Sequence, residues 1–213
     1  MSEALGQLER RYTYADYCRW GDDERWELID GEAYCLAPAP SATHQRIVVE
    51  LITQLREMVR DGECEAFVAP FDVRLPDEEA ASRGAPDDAI DSVVQPDVLV
   101  VCDPEKIEER GCLGAPDFVV EVLSPHTGSK DLIRKTDLYE RRGVREYWIV
   151  QPAERVIIVR VLGENGKWSP PRFVEGKGKL PVAVLPGVAI DLDRLFPPLP
   201  KSEPGPATRQ KRT

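Results

Sequence analysis

The sequence predicts an α/β fold in which a mixed central sheet is flanked by helices, with an N-terminal hairpin and a C-terminal β-extension. Three observations predict it. After Ser41, apolar residues return at the 3.6-residue period of a long helix. Short apolar runs of strand length recur at Glu65 to Leu75, Val94 to Val101, Phe118 to Leu123 and Glu146 to Val150. A helical pattern separates the last two runs, the β-α-β order of a crossover between parallel strands.

Each element has a local cause. Thr13 and Asp16 have the spacing of a capping box, so a short helix is expected over Tyr14 to Trp20, closed by Gly21. Asp30 and Gly31 most readily take the positive φ angles of a two-residue hairpin turn, and they separate Arg25 to Ile29 from Glu32 to Ala37. Ser41 can cap the long helix, whose stripe of Ile47, Val48, Leu51, Ile52, Leu55, Met58 and Val59 ends before Gly62. His44 falls within that stripe and so points inward. Residues 76–92 are rich in Asp, Glu, Ala and Gly without an apolar period, and are expected as a mobile acidic insertion. A second helix is expected over Lys130 to Arg142, stopped by Gly143. Val156 to Leu162 and Trp168 to Val174 form a terminal hairpin around Asn165 and Gly166. Residues 1–200 are taken as one domain, and 201–213 as a disordered basic tail.

Composition excludes several classes. No apolar run approaches the roughly 18 to 20 residues of a membrane span, and the first residues lack the apolar stretch of a signal peptide, so a cytoplasmic protein without a membrane partner is expected. Cys18, Cys35, Cys64, Cys102 and Cys112 are odd in number and contain no CxxC pair, which predicts buried, reduced thiols. With 28 basic and 38 acidic residues the formal charge is −10, which argues against nonspecific coating of nucleic acid by displaced counterions. It does not exclude a nuclease, whose centre needs carboxylates.

The chemistry concentrates in three residues. Asp97 follows Gln95 and Pro96 at the mouth of the strand Val98 to Val101. Glu121 interrupts the apolar run Phe118 to Leu123, where an ionised carboxylate is costly unless paired or bound to a cation. In the helix that follows, Lys135 lies within the buried stripe of Leu132, Leu138 and Tyr139, so its ammonium must reach an acidic partner. Two carboxylates and an ammonium at a sheet edge suit Mg²⁺ placed on a phosphate, with Mn²⁺ as a substitute. A structural ion pair without metal uses the same geometry. Tyr139 is expected to pack between helix and sheet or to touch substrate. Lys130, in the loop after Glu121, is a weak candidate for a substrate-backbone contact. Glycine-rich phosphate loops, HExxH and GxSxG are absent.

Gln95 to Asp97, Glu121 to Pro125, Lys135 with Tyr139, and Gly143 to Val150 occur in an order that resembles the Uma-two family of the PD-(D/E)XK restriction-endonuclease-like superfamily. The likeness extends from Tyr12 through Glu27 to Glu32 and His44 to Leu162. It implies a nuclease acting on DNA, with Asp97, Glu121 and the backbone carbonyl of Val122 as metal ligands. Where the superfamily places lysine two residues after the second acid, this chain has Leu123, and the resemblance transfers that role to Lys135. It also brings in His44, to orient water or phosphate or to serve as a hydrogen-bonded packing residue, and Glu32, to complete the metal shell or pair with an arginine. A homodimer would suit cleavage of both strands. The alternative from another class is a catalytically silent nucleic-acid or protein interaction module that keeps the acid–lysine cluster as a structural salt bridge.

Overall fold

The computed structural model of the chain describes residues 11–21, 25–36, 40–124 and 129–196, the side chains of 129–131 excepted. In chain order the elements are α1 (Tyr14–Tyr17), β1 (Trp26–Ile29), β2 (Glu32–Cys35), α2 (Ala42–Val59), β3 (Glu65–Val68), β4 (Val73–Arg74), α3 (Glu78–Ser82), β5 (Val93–Val94), β6 (Val98–Val101), β7 (Ile107–Glu108), β8 (Gly111–Leu113) and β9 (Phe118–Val122). There follow α4 (Ser129–Arg142), β10 (Glu146–Gln151), β11 (Val156–Val161), β12 (Arg172–Glu175), β13 (Lys179–Pro181), β14 (Ala189–Asp191) and α5 (Leu192–Leu195).

The strands form two large mixed sheets where one was expected. The first runs β2-β1-β5-β4-β8-β7 and the second β12-β11-β10-β9-β6-β3. The apolar run Glu65 to Leu75 is therefore two strands, one in each sheet, parted at Pro70. Most members of the first sheet are too short to show a period of two, which is why they escape a search for alternation.

Where the periods are long, they hold. The Ser41 hydroxyl accepts the His44 amide of α2 at 3.2 Å, and α2 lays Ile47, Val48, Leu51 and Leu55 on the second sheet against Val98, Val100, Phe118, Val120 and Trp148. Strands β9 and β10 pair in parallel with Glu121 beside Ile149, and α4 makes the crossover. Leu138 and Tyr139 of α4 cover the opposite face with Leu99, Val119, Tyr147 and Ile149, and this core continues into Ile29, Val73 and Val94 of the first sheet. The Asp30–Gly31 turn has φ of 50° and 77°, the doubly positive geometry of a type I′ hairpin that this dipeptide favours.

Residues 76–92 contain α3, bury Ala80, Ile90 and Ser92, and accept the Tyr14 amide on the Ile90 carbonyl at 2.8 Å. Two expectations are corrected. The cysteines are not uniformly buried thiols, because Cys64 and Cys102 form a disulfide and Cys18 and Cys35 are exposed, leaving Cys112 as the buried thiol. The cause is register: β3 and β6 pair with Glu65 opposite Val101, which sets Cys64 beside Cys102 across 38 residues of chain. The terminal hairpin pairs β11 with β12, so its second strand starts at Arg172 and only a bridge joins Trp168 to Leu162. The tail 201–213 lies outside the described residues. No described helix is long and apolar enough to cross a membrane.

Candidate active site

The chain crosses between the two sheets at Pro70 to Asp72 and again at Gln95 and Pro96, and the two crossings are tied together. The Gln95 Nε2 donates to Asp72 Oδ1 at 2.9 Å, and the Ala69 amide donates to the Asp97 carbonyl at 3.3 Å. This seam brings the end of β1, the start of β6 and the end of β9 to one place.

Asp97 and Glu121 are held by different partners. Asp97 Oδ2 accepts the Val122 amide at 2.7 Å and lies 3.1 Å from His44 Nε2, so the first turn of α2 braces the start of β6. Glu121 Oε1 accepts Lys135 Nζ at 2.9 Å and the Tyr139 hydroxyl at 2.8 Å. The ammonium also donates to Glu27 Oε1 at 2.8 Å, and that same oxygen accepts the Gln95 amide at 2.8 Å. Each acid thus uses one oxygen to hold the cluster, while Asp97 Oδ1, Glu121 Oε2 and Glu27 Oε2 accept no hydrogen bond from the described residues.

Two carboxylates, Glu27 and Glu121, hold one ammonium while the charge of Asp97 acts on Glu121, and burial sharpens the imbalance. Side-chain exposure is 4% for Glu27, 13% for Glu121, 12% for Lys135 and 19% for Asp97. Burial pushes the Glu121 carboxyl up, Lys135 pulls it down, and the charges of Asp97 and Glu27 push it up again, to about 7. Burial opposes the charged form of Lys135, yet Glu121 and Glu27 together hold its pKa above the usual lysine value. For His44, burial is outweighed by the hydrogen bond and charge of Asp97, then by Glu121 and the Val122 backbone, so the imidazolium is favoured. His44 Nδ1 is buried and has no partner among the described residues.

The cluster floors a cavity of about 370 Å³ whose lining includes Glu27, His44, Asp97, Glu121, Val122 and Lys135. Not every residue singled out in the sequence belongs to it. Glu32 stands outside, 54% exposed, 3.6 Å from Arg134 and bonded to the Tyr34 hydroxyl. Tyr139 is fully buried, is not among the residues that line the cavity, and donates its hydroxyl to Glu121. The Lys130 side chain lies outside the described residues. Glu27 is the member missed in the sequence. It sits two residues before Ile29 in β1, so strand alternation puts both on one inward face, the same kind of apolar interruption that marks Glu121.

Asp97 and Glu121 stand at strand ends, Lys135 reaches Glu121 from the crossover helix, and the fold that carries them is nuclease-like. Residues 13–193 match the Uma2 family, described as "Putative restriction endonuclease", and the chain belongs to that family. An uncharacterized protein of Synechocystis sp. is 26% identical over 156 residues, covering 72% of this chain and 75% of that protein. A crystal structure of "a putative nuclease" from Anabaena variabilis matches with a TM-score of 0.67 at 19% identity, covering 87% of this chain and 97% of that one. At that identity the likeness shows a shared fold.

Proposed function

We propose that the chain is a magnesium-dependent nuclease that hydrolyses phosphodiester bonds of DNA. The observation that supports this most is the meeting of Asp97, Glu121 and Lys135 at the floor of one cavity, with an oxygen of each acid left without a partner among the described residues. Among those residues no three His, Cys, Asp or Glu side chains converge as a cage. Mg²⁺ does not require one, since it keeps several waters and is bound through one or two carboxylates plus substrate phosphate. Asp97 and Glu121 therefore fit it, with the carbonyl of Val122 as a further oxygen donor and Mn²⁺ as a substitute.

When bound, the ion supplies Lewis-acid polarisation of the phosphate and a more acidic water. Lys135 orients the attacking hydroxide and stabilises the negative charge that builds on the phosphate. Glu27 positions the Lys135 ammonium from the first sheet, and Tyr139 fixes the rotamer of Glu121. His44 braces Asp97 through Nε2 and, as imidazolium, offers a second N–H.

One observation favours the silent interaction module: Lys135 is already satisfied by two carboxylates, as in a structural ion pair. The two readings part in a cleavage assay on single- and double-stranded DNA with Mg²⁺ or Mn²⁺. Metal-dependent cleavage lost in folded Asp97→Ala and Glu121→Ala supports the nuclease. A wild type that cuts neither substrate, or variants that cut as well as it does, refutes it.

A further inference from the structure

We infer, building on the nuclease reading, that the cavity above the acid–lysine cluster receives one unpaired nucleotide, so that the preferred substrate is single-stranded DNA over uninterrupted duplex. Three independent features carry this.

The first is depth. Asp97, Glu121 and Lys135 are each less than one-fifth exposed, and they line a cavity of about 370 Å³. That volume is near the lower end of pockets that enclose a small ligand, roughly 300–1,000 Å³. Duplex DNA is stiff over about 150 bp, with its bases stacked inside and its phosphates on a regular outer backbone. It can lie across the mouth of such a cavity, but a base enters only by leaving the stack.

The second is the wall. Beside the charged floor the cavity is lined by Tyr34, Leu36, Val48, Val68 and Leu132. The guanidinium of Arg134 lies 4.8 Å from the centroid of the Tyr34 ring and braces it. An aromatic and aliphatic wall next to a phosphate site suits the face of an unpaired base, which stacks without regard to sequence.

The third is charge. Duplex binding relies on a series of cations that displace counterions from phosphates. Beside the lining residue Tyr34, Arg134 faces Glu32 at 3.6 Å, and further along α4 Arg141 faces Asp30 at 2.9 Å and Arg142 faces Asp91 at 3.2 Å, so these arginines of α4 are paired with carboxylates. Arg25 differs. It lines the cavity, and its Nε donates to the neutral Gln95 Oε1 at 3.0 Å with no ion pair among the described residues, which leaves its charge for a single backbone phosphate. One strand at one site also needs no second copy of the chain.

The test is fluorescence anisotropy of a labelled short oligonucleotide, single-stranded or annealed to its complement, with the full chain and no added metal. The single strand is expected to bind about tenfold more tightly, in line with stacking of one base. Val68→Trp, on the edge strand β3 at a residue 40% exposed, places a ring in the cavity and leaves the cluster's own side chains unsubstituted. It should abolish the preference with unchanged Tm, whereas Val68→Ala should retain it. Equal or tighter duplex binding, no binding of either form, or an intact preference in Val68→Trp would overturn the inference. Cleavage with duplex preferred overturns it too and leaves the nuclease reading standing. Binding of the single strand without cleavage in any divalent metal refutes the nuclease reading and supports the cavity's ligand.

Discussion

Glu27 and Glu121 stand on different sheets and share one ammonium, with Lys135 Nζ 2.8 Å from the first carboxylate and 2.9 Å from the second. The crossover helix thereby fastens the first sheet to the second at the point where the strand ends carry acids. An ammonium fixed from two sides is preorganised: it does not have to reorient as charge develops on a phosphate.

Removing the ammonium isolates two buried carboxylates. Lys135→Met is expected to lower stability by about 3–5 kcal/mol at neutral pH, the usual cost of leaving one side of a buried pair uncompensated. Urea unfolding measures it, and lowering the pH should restore part of the loss as the acids take up protons. A change below about 1 kcal/mol would mean that water, and not Lys135, solvates these acids.

The pH dependence of stability has a defined sign at Glu121. In the metal-free protein its carboxyl is pushed up to about 7 from an ordinary 4.5, so the folded state holds this proton more tightly than the unfolded chain. The contribution is full below pH 4.5 and is lost as the pH rises through about 7. Glu121→Gln should flatten the stability profile across that window when unfolding is measured at a series of pH values. An unchanged slope would show that Glu121 ionises normally.

His44 braces Asp97 without standing on a strand. Its pKa is raised, so the stability it adds is present below the ordinary value of 6.5 and declines as the pH climbs through the raised one. His44→Gln should remove that decline. It should also weaken metal affinity or activity about 10- to 100-fold, as loss of a residue that orients a ligand does. Activity equal to wild type would reduce His44 to packing.

Glu27 and Glu32 lie on the same hairpin and predict opposite outcomes. Glu32→Ala, at an exposed residue, should change stability by no more than about 0.5 kcal/mol and leave activity alone. Glu27→Gln should cost about 1–3 kcal/mol and lower kcat, because Lys135 loses one of its two anchors. Urea unfolding and steady-state kinetics on the two variants decide the matter, and equal behaviour would contradict the positions given to both.

Much of the fold was legible because some signals are long. The stripe from Ile47 to Val59 runs over more than three turns of α2, and Glu121 is conspicuous because every neighbour in β9 is apolar. Lys135 could be placed because a helix face resolves a cation among leucines. The first sheet was not legible, since β4, β5 and β7 are two residues each and carry no period. Neither was the Cys64–Cys102 bond, which depends on the register of β3 against β6. Glu27 was legible in principle through Ile29, but in a four-residue strand that signal is weak without the partner sheet in view.

Titration calorimetry with Mn²⁺ on the wild type, Asp97→Asn and Glu121→Gln tests the cation site most directly. Saturable binding by the wild type, weakened at least about tenfold in both folded variants, is the predicted result. Absence of binding by the wild type, or equal binding by all three, would contradict it and leave the acids and Lys135 as a structural ion pair.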